Sequence, residues 1–109
     1  MRVAVAYSDG NVADEFRTTK EFKLYDIEDG RIGLEQSVEV RQDWYMSVAE
    51  FLAEQEVDAI ICGKIGRGPV SSFREGGIKV YGGVSGSAKD AINAYLGGTL
   101  SFDPMAGMM

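Results

Sequence analysis

Apolar residues cluster in three short runs along the chain, at residues 2–7, 57–62 and 78–81. The first two are rich in Val, Ile and Ala, and the third is the shortest. Strands covered on both faces show such apolar runs, whereas strands with one solvated face alternate between apolar and polar residues. We therefore predict that these runs form three buried, mutually parallel strands of one sheet.

Alternation between polar and apolar residues marks two further segments, at 21–27 and 31–40. The pair Asp29-Gly30 lies between them and is a strong hairpin signal, so we predict two antiparallel strands joined by a tight turn. We expect a bulge near Gln36 in the second strand. The candidate inward positions of that strand are Ile32, Leu34, Val38 and Val40.

Three segments carry helix signals. Apolar residues at Tyr45, Val48, Phe51 and Leu52 have the spacing of an amphipathic helix, predicted over 44–55 with Asp43 as its cap. Capping and helix-breaking residues bound the other two helices, one from Pro69 to Gly76-Gly77 and one from Ser87 to Gly97-Gly98.

The element order is therefore β-β-β-α-β-α-β-α. With right-handed crossovers, this order predicts an α/β fold with a mixed five-stranded sheet and helices on both faces. It matches a three-layer fold of the ribonuclease H-like type. We expect one domain over residues 1–100, followed by a flexible C-terminal tail at 101–109.

Composition and charge exclude several classes of function. The chain has 109 residues, a formal net charge of −6, no histidine and one cysteine, Cys62. The negative charge argues against general binding to nucleic acid, and the absence of histidine removes Ser-His and Cys-His catalytic pairs. A lone cysteine cannot form an internal disulfide, and there is neither a signal-peptide pattern nor a membrane-spanning apolar run. We therefore expect a cytoplasmic protein without a membrane partner.

Glycine-rich turns follow the three predicted parallel strands, at 8–10, 62–68 and 82–87. The carboxyl ends of such strands meet at one edge of the sheet, which is where ligands bind in open α/β folds. Lys64 and Arg67 add positive charge, and two of the turns lead into helix N-termini, which favour anions. Arg17 and Lys20 on the early loop could close over the same edge. The glycine spacing matches neither a P-loop nor a dinucleotide-binding fingerprint.

Two interpretations of Cys62 stay open. A cysteine at a strand end is commonly a small buried hydrophobe. As a metal ligand near a helix N-terminus and two cations, it should instead be partly accessible, with a pKa below the usual value of about 8.5. The glycines in turn are either purely structural or part of a binding site. Four dispersed carboxylates raise the alternative of a metal-dependent hydrolase or nuclease: Asp9, Asp26, Asp29 and Asp58.

Four stretches, in this order, resemble the dinitrogenase iron-molybdenum cofactor biosynthesis family, which comprises NifX-type proteins and the C-terminal domain of NifB-type proteins. They are "RVAVAYSDG", "EFKLYDIEDGRI", "VDAIICGKIGRGPVSSFREGGIKVY" and "GGVSGSAKDAINAYLGGTL". The positions matched to the family's loops are Ser8, Asp9, Gly10, Cys62, Gly63, Gly66, Gly83, Ser85 and Gly86. The family often has His-Phe-Gly after the first strand, where this chain has Glu15-Phe16-Arg17.

This resemblance implies a ribonuclease H-like domain that is a non-catalytic carrier of iron-sulfur or iron-molybdenum cluster precursors. Metal-cluster donor or acceptor proteins are the implied partners, and we expect a monomer or a weak dimer. The cluster, or another anion, would bind at the glycine-rich edge. Because the family histidine is absent, metal ligation would fall on Cys62 and Glu15. The alternatives are the hydrolase and an interaction module without a cluster.

Overall fold

The computed structural model describes residues 1–40 and 47–107, and these form a mixed sheet with three helices. Its elements are β1 (Arg2–Ser8), β2 (Asn11–Val12), β3 (Glu21–Glu28), β4 (Arg31–Glu39), α1 (Val48–Glu54), β5 (Ala59–Ile61), α2 (Arg67–Glu75), β6 (Lys79–Tyr81) and α3 (Ala88–Gly97). None of these helices is long and apolar enough to cross a bilayer.

The strands lie in the order β4-β3-β1-β5-β6, with β2 paired separately to the end of β1. Strands β1, β5 and β6 are parallel, and the β3–β4 hairpin joins β1 in antiparallel orientation. Within the described residues the sheet therefore has six strands, one more than the five predicted. The added strand arises because Asp9 and Gly10 both adopt positive φ, which turns the chain tightly back so that Val12 pairs with Tyr7.

Helices cover both faces of the sheet, as the alternation of side chains along β1 requires. Ala4 and Ala6 point to the face covered by α1 and α2, where they join a cluster that includes Leu52 and Phe73. Val3 and Val5 point to the other face and pack with α3 residues in a second cluster. Residues 3–6 at the centre of β1 are fully buried, which explains the continuous apolar composition there.

The hairpin strand β4 departs from two predictions. Ile32 and Leu34 were expected to face inward, yet they are 38% and 54% exposed, because β4 is an edge strand reached by little of the helical layer. Val38 and Val40 are partly buried against the first cluster, as expected. The irregularity in register lies between Asp26 and Ile27, opposite the segment 32–34, and not near Gln36.

Helix ends follow the capping residues closely. The hydroxyl of Ser47 accepts a hydrogen bond from the amide of Glu50 at 3.1 Å and caps α1. The predicted cap Asp43 and the first predicted turn of that helix lie outside the described residues. Helix α2 begins at Arg67, two residues before the predicted start at Pro69, and ends at Gly76 as predicted. Helix α3 begins at the Ser87 cap and ends at Gly98, as predicted.

The C-terminal segment, predicted as a flexible tail, contacts the end of β6. The Phe102 ring packs edge-on against Tyr81, with ring centroids 4.8 Å apart. The amide of Asp103 donates to the carbonyl of Gly82 at 2.8 Å. Residues 101–107 therefore lie along the end of β6 because an aromatic contact and a backbone hydrogen bond hold them there.

Candidate functional site

The three glycine-rich turns meet at the carboxyl ends of β1, β5 and β6, as predicted from the order of elements. Backbone hydrogen bonds join them directly. Gly83 donates to the carbonyl of Gly63 at 2.9 Å, and Ala88 donates to the carbonyl of Gly10 at 3.0 Å. The turns are therefore parts of one hydrogen-bonded edge, in which each turn restrains its neighbour.

Lys64 lies at the centre of this edge, and its backbone is fixed from both sides. Its amide donates to the carbonyl of Asp14, and its carbonyl accepts from the amide of Phe16, both at 2.8 Å. The preceding Gly63 is packed so closely that a Cβ would lie 2.3 Å from the Asp14 oxygen. Only glycine allows this approach, and the result is an exposed lysine side chain on a restrained backbone.

A first cleft of about 680 Å³ opens on one side of Lys64. Three segments line it, 15–17, 47–49 and 64–66, together with Pro69 and Ser72 of α2. Its charged side chains are two cations, Arg17 and Lys64, and one carboxylate, Glu15. Among the described residues this wall is therefore positive on balance, in a chain whose formal charge is −6.

The start of α2 adds to the first cleft. The N-cap is Gly66, which supplies no side-chain hydrogen bond to the first turn. The amide of Val70 closes the first helical hydrogen bond to the carbonyl of Gly66 at 3.3 Å, and Pro69 has no N–H. The positive end of the helix dipole thus faces the same region as Lys64.

A second cleft of about 560 Å³ lies on the opposite side of Lys64. Segments 63–66 and 83–85 line it with Asp14, and the C-terminal residues Asp103 and 105–107 form its outer wall. Here one cation faces two carboxylates, so the second cleft is negative on balance among the described residues. An anion therefore fits the first cleft better than the second.

The predicted site residues differ in which cleft they line. Lys64 and Gly66 line both clefts, whereas Gly63, Gly83 and Ser85 line only the second. Arg67 is exposed as the first residue of α2 but lines neither cleft. The remaining matched residues of the outer turns also line neither cleft: Ser8, Asp9, Gly10 and Gly86.

Cys62 follows β5 and is fully buried in the apolar cluster beneath α1 and α2. Burial raises the pKa of its thiol from 9.0 to about 12. A ligand cysteine was expected to be partly accessible with a lowered pKa, and neither condition is met. The sulfur is neutral and shielded because the side chain points into the core, so the structure supports the packing interpretation of Cys62.

The carboxylates considered for hydrolysis are held apart. Asp26 forms an ion pair with Arg2 at 2.6 Å, and the Asp58 carboxylate accepts from the Arg2 amide at 2.8 Å. Both lie at the start of β1, at the end opposite Asp9, and Asp29 occupies the hairpin turn at positive φ. Within residues 1–40 and 47–107, no group of three or more carboxylate, cysteine or histidine side chains could hold a metal ion.

Two contributors to the clefts were not anticipated. The start of α1 at 47–49 forms one wall of the first cleft, and the C-terminal segment forms one wall of the second. Neither has a motif that marks it as part of a site. The Asp103-Pro104 pair is a turn signal, although the tail was predicted without a turn there.

Comparison with known proteins identifies the family. Residues 1–98 match the family described as dinitrogenase iron-molybdenum cofactor, and the chain belongs to that family. This confirms the resemblance seen in the sequence. No curated protein matches the chain.

Several solved structures share the fold. The crystal structure of PH0822 is 31% identical in sequence, with a TM-score of 0.88 over 95% of this chain and 96% of that one. A candidate NifB protein from Thermotoga, of the DUF35 family, is 28% identical, with a TM-score of 0.70 over 93% and 91% of the two chains. The apo form of the orange protein from Desulfovibrio gigas is 21% identical, with a TM-score of 0.76 over 94% and 92%, and shows the fold alone.

Proposed function

We propose that this protein is a non-catalytic carrier or accessory protein of iron-molybdenum cofactor biosynthesis. Its cargo is an anionic metal cluster or cluster precursor, held in the first cleft. Family membership supports the link to the cofactor. The observation that carries the choice of site is the pair Arg17 and Lys64, which outnumber Glu15 in that cleft, whereas carboxylates outnumber the lysine in the second cleft.

Binding in this cleft is electrostatic and exchangeable. Iron-sulfur clusters that stay in a protein are commonly held by four cysteine thiolates. The one cysteine of this chain is buried, so Glu15 is the side chain in the first cleft that could contact a metal. A restrained lysine, an arginine and the start of α2 attract an anionic cluster without forming several bonds to its metals. They therefore suit a cluster that binds reversibly.

The other parts of the proposal follow from the same fold. The strand order β4-β3-β1-β5-β6, with an antiparallel hairpin beside parallel strands, supports the ribonuclease H-like assignment. Cluster donor and acceptor proteins are the proposed partners, and the chain acts as a monomer or a weak dimer. The cytoplasm is the proposed location, since a reducing compartment suits a lone thiol.

Tetrathiomolybdate, a sulfur-rich molybdenum dianion, is a suitable probe for this proposal. Its binding is followed anaerobically by absorbance in the wild type and in the Arg17→Ala, Lys64→Ala double variant. We expect the double variant to bind about tenfold or more weakly, and the wild type to lose affinity as salt rises. Folding should change little, because exposed charges contribute less than about 1 kcal/mol each.

Matched controls separate a site from a general charge effect. The Lys79→Ala, Lys89→Ala variant has the same net charge as the test variant, and both lysines are exposed and lie outside the first cleft. It should bind the probe as the wild type does. Equal affinity in all three proteins would refute the first cleft as the site. Anaerobic purification with iron, molybdenum and sulfide analysis then tests for natural cargo.

Arg67→Ala tests the earlier assignment of that residue. Because Arg67 lines neither cleft, we expect its replacement to weaken binding of the probe less than Lys64→Ala does. The reverse order would place the anion nearer to the exposed start of α2 than to the first cleft.

A further inference from the structure

The C-terminal residues 101–107, here called the strap, cross from the end of β6 to the first turn of α2. We propose that the strap positions the start of α2 and thereby the wall of the first cleft, although no strap residue lines that cleft. The effect on cargo rests on the proposed function. The effect on the helix start does not, and it is measured separately.

At β6 the strap is held by three kinds of contact. The Phe102 ring packs on Tyr81, and the Asp103 amide bonds to the carbonyl of Gly82. Ala106 packs against the apolar cluster, and a Cβ on Gly82 would lie 2.6 Å from the Cβ of Ala106. The strap therefore fits a surface on which Gly82 leaves just enough room for it.

Within the strap, a local turn directs the chain toward α2. The Asp103 carboxylate accepts from the amide of Met105 at 2.9 Å, and the Asp103 carbonyl accepts from the amide of Ala106 at 3.1 Å. An Asp side chain that binds the backbone two residues later stabilises such turns. The turn brings the next residue, Gly107, onto the helix.

At α2 the backbone of Gly107 lies against the first helical turn. A Cβ on Gly107 would lie 2.6 Å from Cγ2 of Val70 and 3.0 Å from the carbonyl oxygen of Gly66. That oxygen accepts the first hydrogen bond of α2, from the Val70 amide. The strap thus presses on the two residues that close the first turn, and Gly66 also lines the first cleft.

The strap also lies beyond the part of the chain that matches the family, which ends at residue 98. Few of its atoms are deeply buried, with Phe102 39% and Met105 60% exposed. Segments with few buried contacts open at low free-energy cost. The strap can therefore detach while the family domain stays folded, and this makes its effect on α2 measurable.

Gly107→Ala is the decisive variant, because a methyl group has no room against Val70. Gly30→Ala is its matched control: Gly30 has φ +73° against +74° for Gly107, but nothing lies within 4 Å of its Cβ position. Alanine would meet the same unfavourable φ at both positions, and only at Gly107 would its Cβ also clash. We expect Gly107→Ala to speed amide hydrogen exchange at Asp103 and Val70 about tenfold or more, while Gly30→Ala leaves both unchanged.

Two exchange results would overturn the proposal. Faster exchange at Asp103 with unchanged exchange at Val70 means that the strap detaches without affecting the helix. Unchanged exchange at both amides means that Gly107 does not contact α2 as the structure indicates. Phe102→Ala releases the strap from its other end without adding atoms, and it should give the same pattern as Gly107→Ala.

The effect of the strap on cargo binding is tested with the same proteins and tetrathiomolybdate. Gly107→Ala should weaken binding about threefold or more, and Gly30→Ala should not, because a misplaced wall costs affinity without loss of a charged group. Equal affinity in the two variants, with the wild type binding, overturns the link from helix to cleft. A wild type that does not bind the probe overturns the proposed function, while the exchange result still decides whether the strap positions α2.

Discussion

Replacement of Cys62 separates core packing from metal ligation. Cys62 is fully buried in the cluster beneath α1 and α2, and burial raises the pKa of its thiol from 9.0 to about 12. The side chain is therefore a neutral apolar group at physiological pH. We expect Cys62→Ala and Cys62→Ser to lower the free energy of unfolding without weakening the binding of tetrathiomolybdate.

The size of the loss follows from burial. Cys62→Ala removes one buried heavy atom, which costs about 1 kcal/mol when the core does not collapse into the space. Cys62→Ser preserves the shape but places a hydroxyl among apolar side chains, and such burial costs about 1–3 kcal/mol. The serine variant should thus be at least as unstable as the alanine variant.

Alkaline pH gives a second, independent signature. In the unfolded chain the thiol ionises above a pH of about 9, whereas in the folded protein it stays protonated until the pH approaches 12. Between these values the folded state binds more protons, so stability falls as the pH rises. From pH 8 to pH 10 the wild type should lose roughly 1.4 kcal/mol that Cys62→Ala does not lose. At pH 10 the wild type should therefore no longer exceed Cys62→Ala in free energy of unfolding, although it does so by about 1 kcal/mol at pH 8.

Urea unfolding of both proteins at pH 8 and pH 10 measures this change, and the rate of thiol labelling in the native wild type provides a check on burial. A stability difference that is the same at both pH values would contradict a buried, neutral thiol. Rapid labelling of the folded protein would do so as well. If Cys62→Ala lost binding of tetrathiomolybdate and kept its stability, Cys62 would be a ligand in the binding site.

Two further predictions concern the packing of Gly63 beside the site and the ion pair of Arg2 at the opposite end of β1. Gly63→Ala should lower the free energy of unfolding by more than about 2 kcal/mol, because its Cβ would lie 2.3 Å from the Asp14 oxygen. Urea unfolding measures this loss, and a variant as stable as the wild type would contradict the close packing at Gly63. Arg2→Met should raise the pKa of Asp26, which the hydrogen bond from Arg2 holds below its usual value. An NMR titration measures it, and the stability due to this pair should be lost in the wild type as the pH falls below about 4.

Local pattern was sufficient for most of the fold. Alternation and apolar runs identified the hairpin and the strands β1, β5 and β6, and capping residues placed the C-terminal end of α2 and both ends of α3. These signals are local because backbone periodicity and capping depend on residues a few positions apart. The convergence of the three glycine-rich turns also followed, since element order alone determines which strand ends share an edge.

What the pattern could not decide depends on contacts between distant segments. Burial of Cys62 and exposure of Ile32 and Leu34 are set by how far the helical layer extends over the sheet. The charge of each cleft depends on which segments meet around Lys64, and the course of the strap depends on Gly107 reaching Val70 across the fold. Sequence therefore determined most of the elements and the edge at which their turns meet, and packing alone decided which side chains of that edge face a common space.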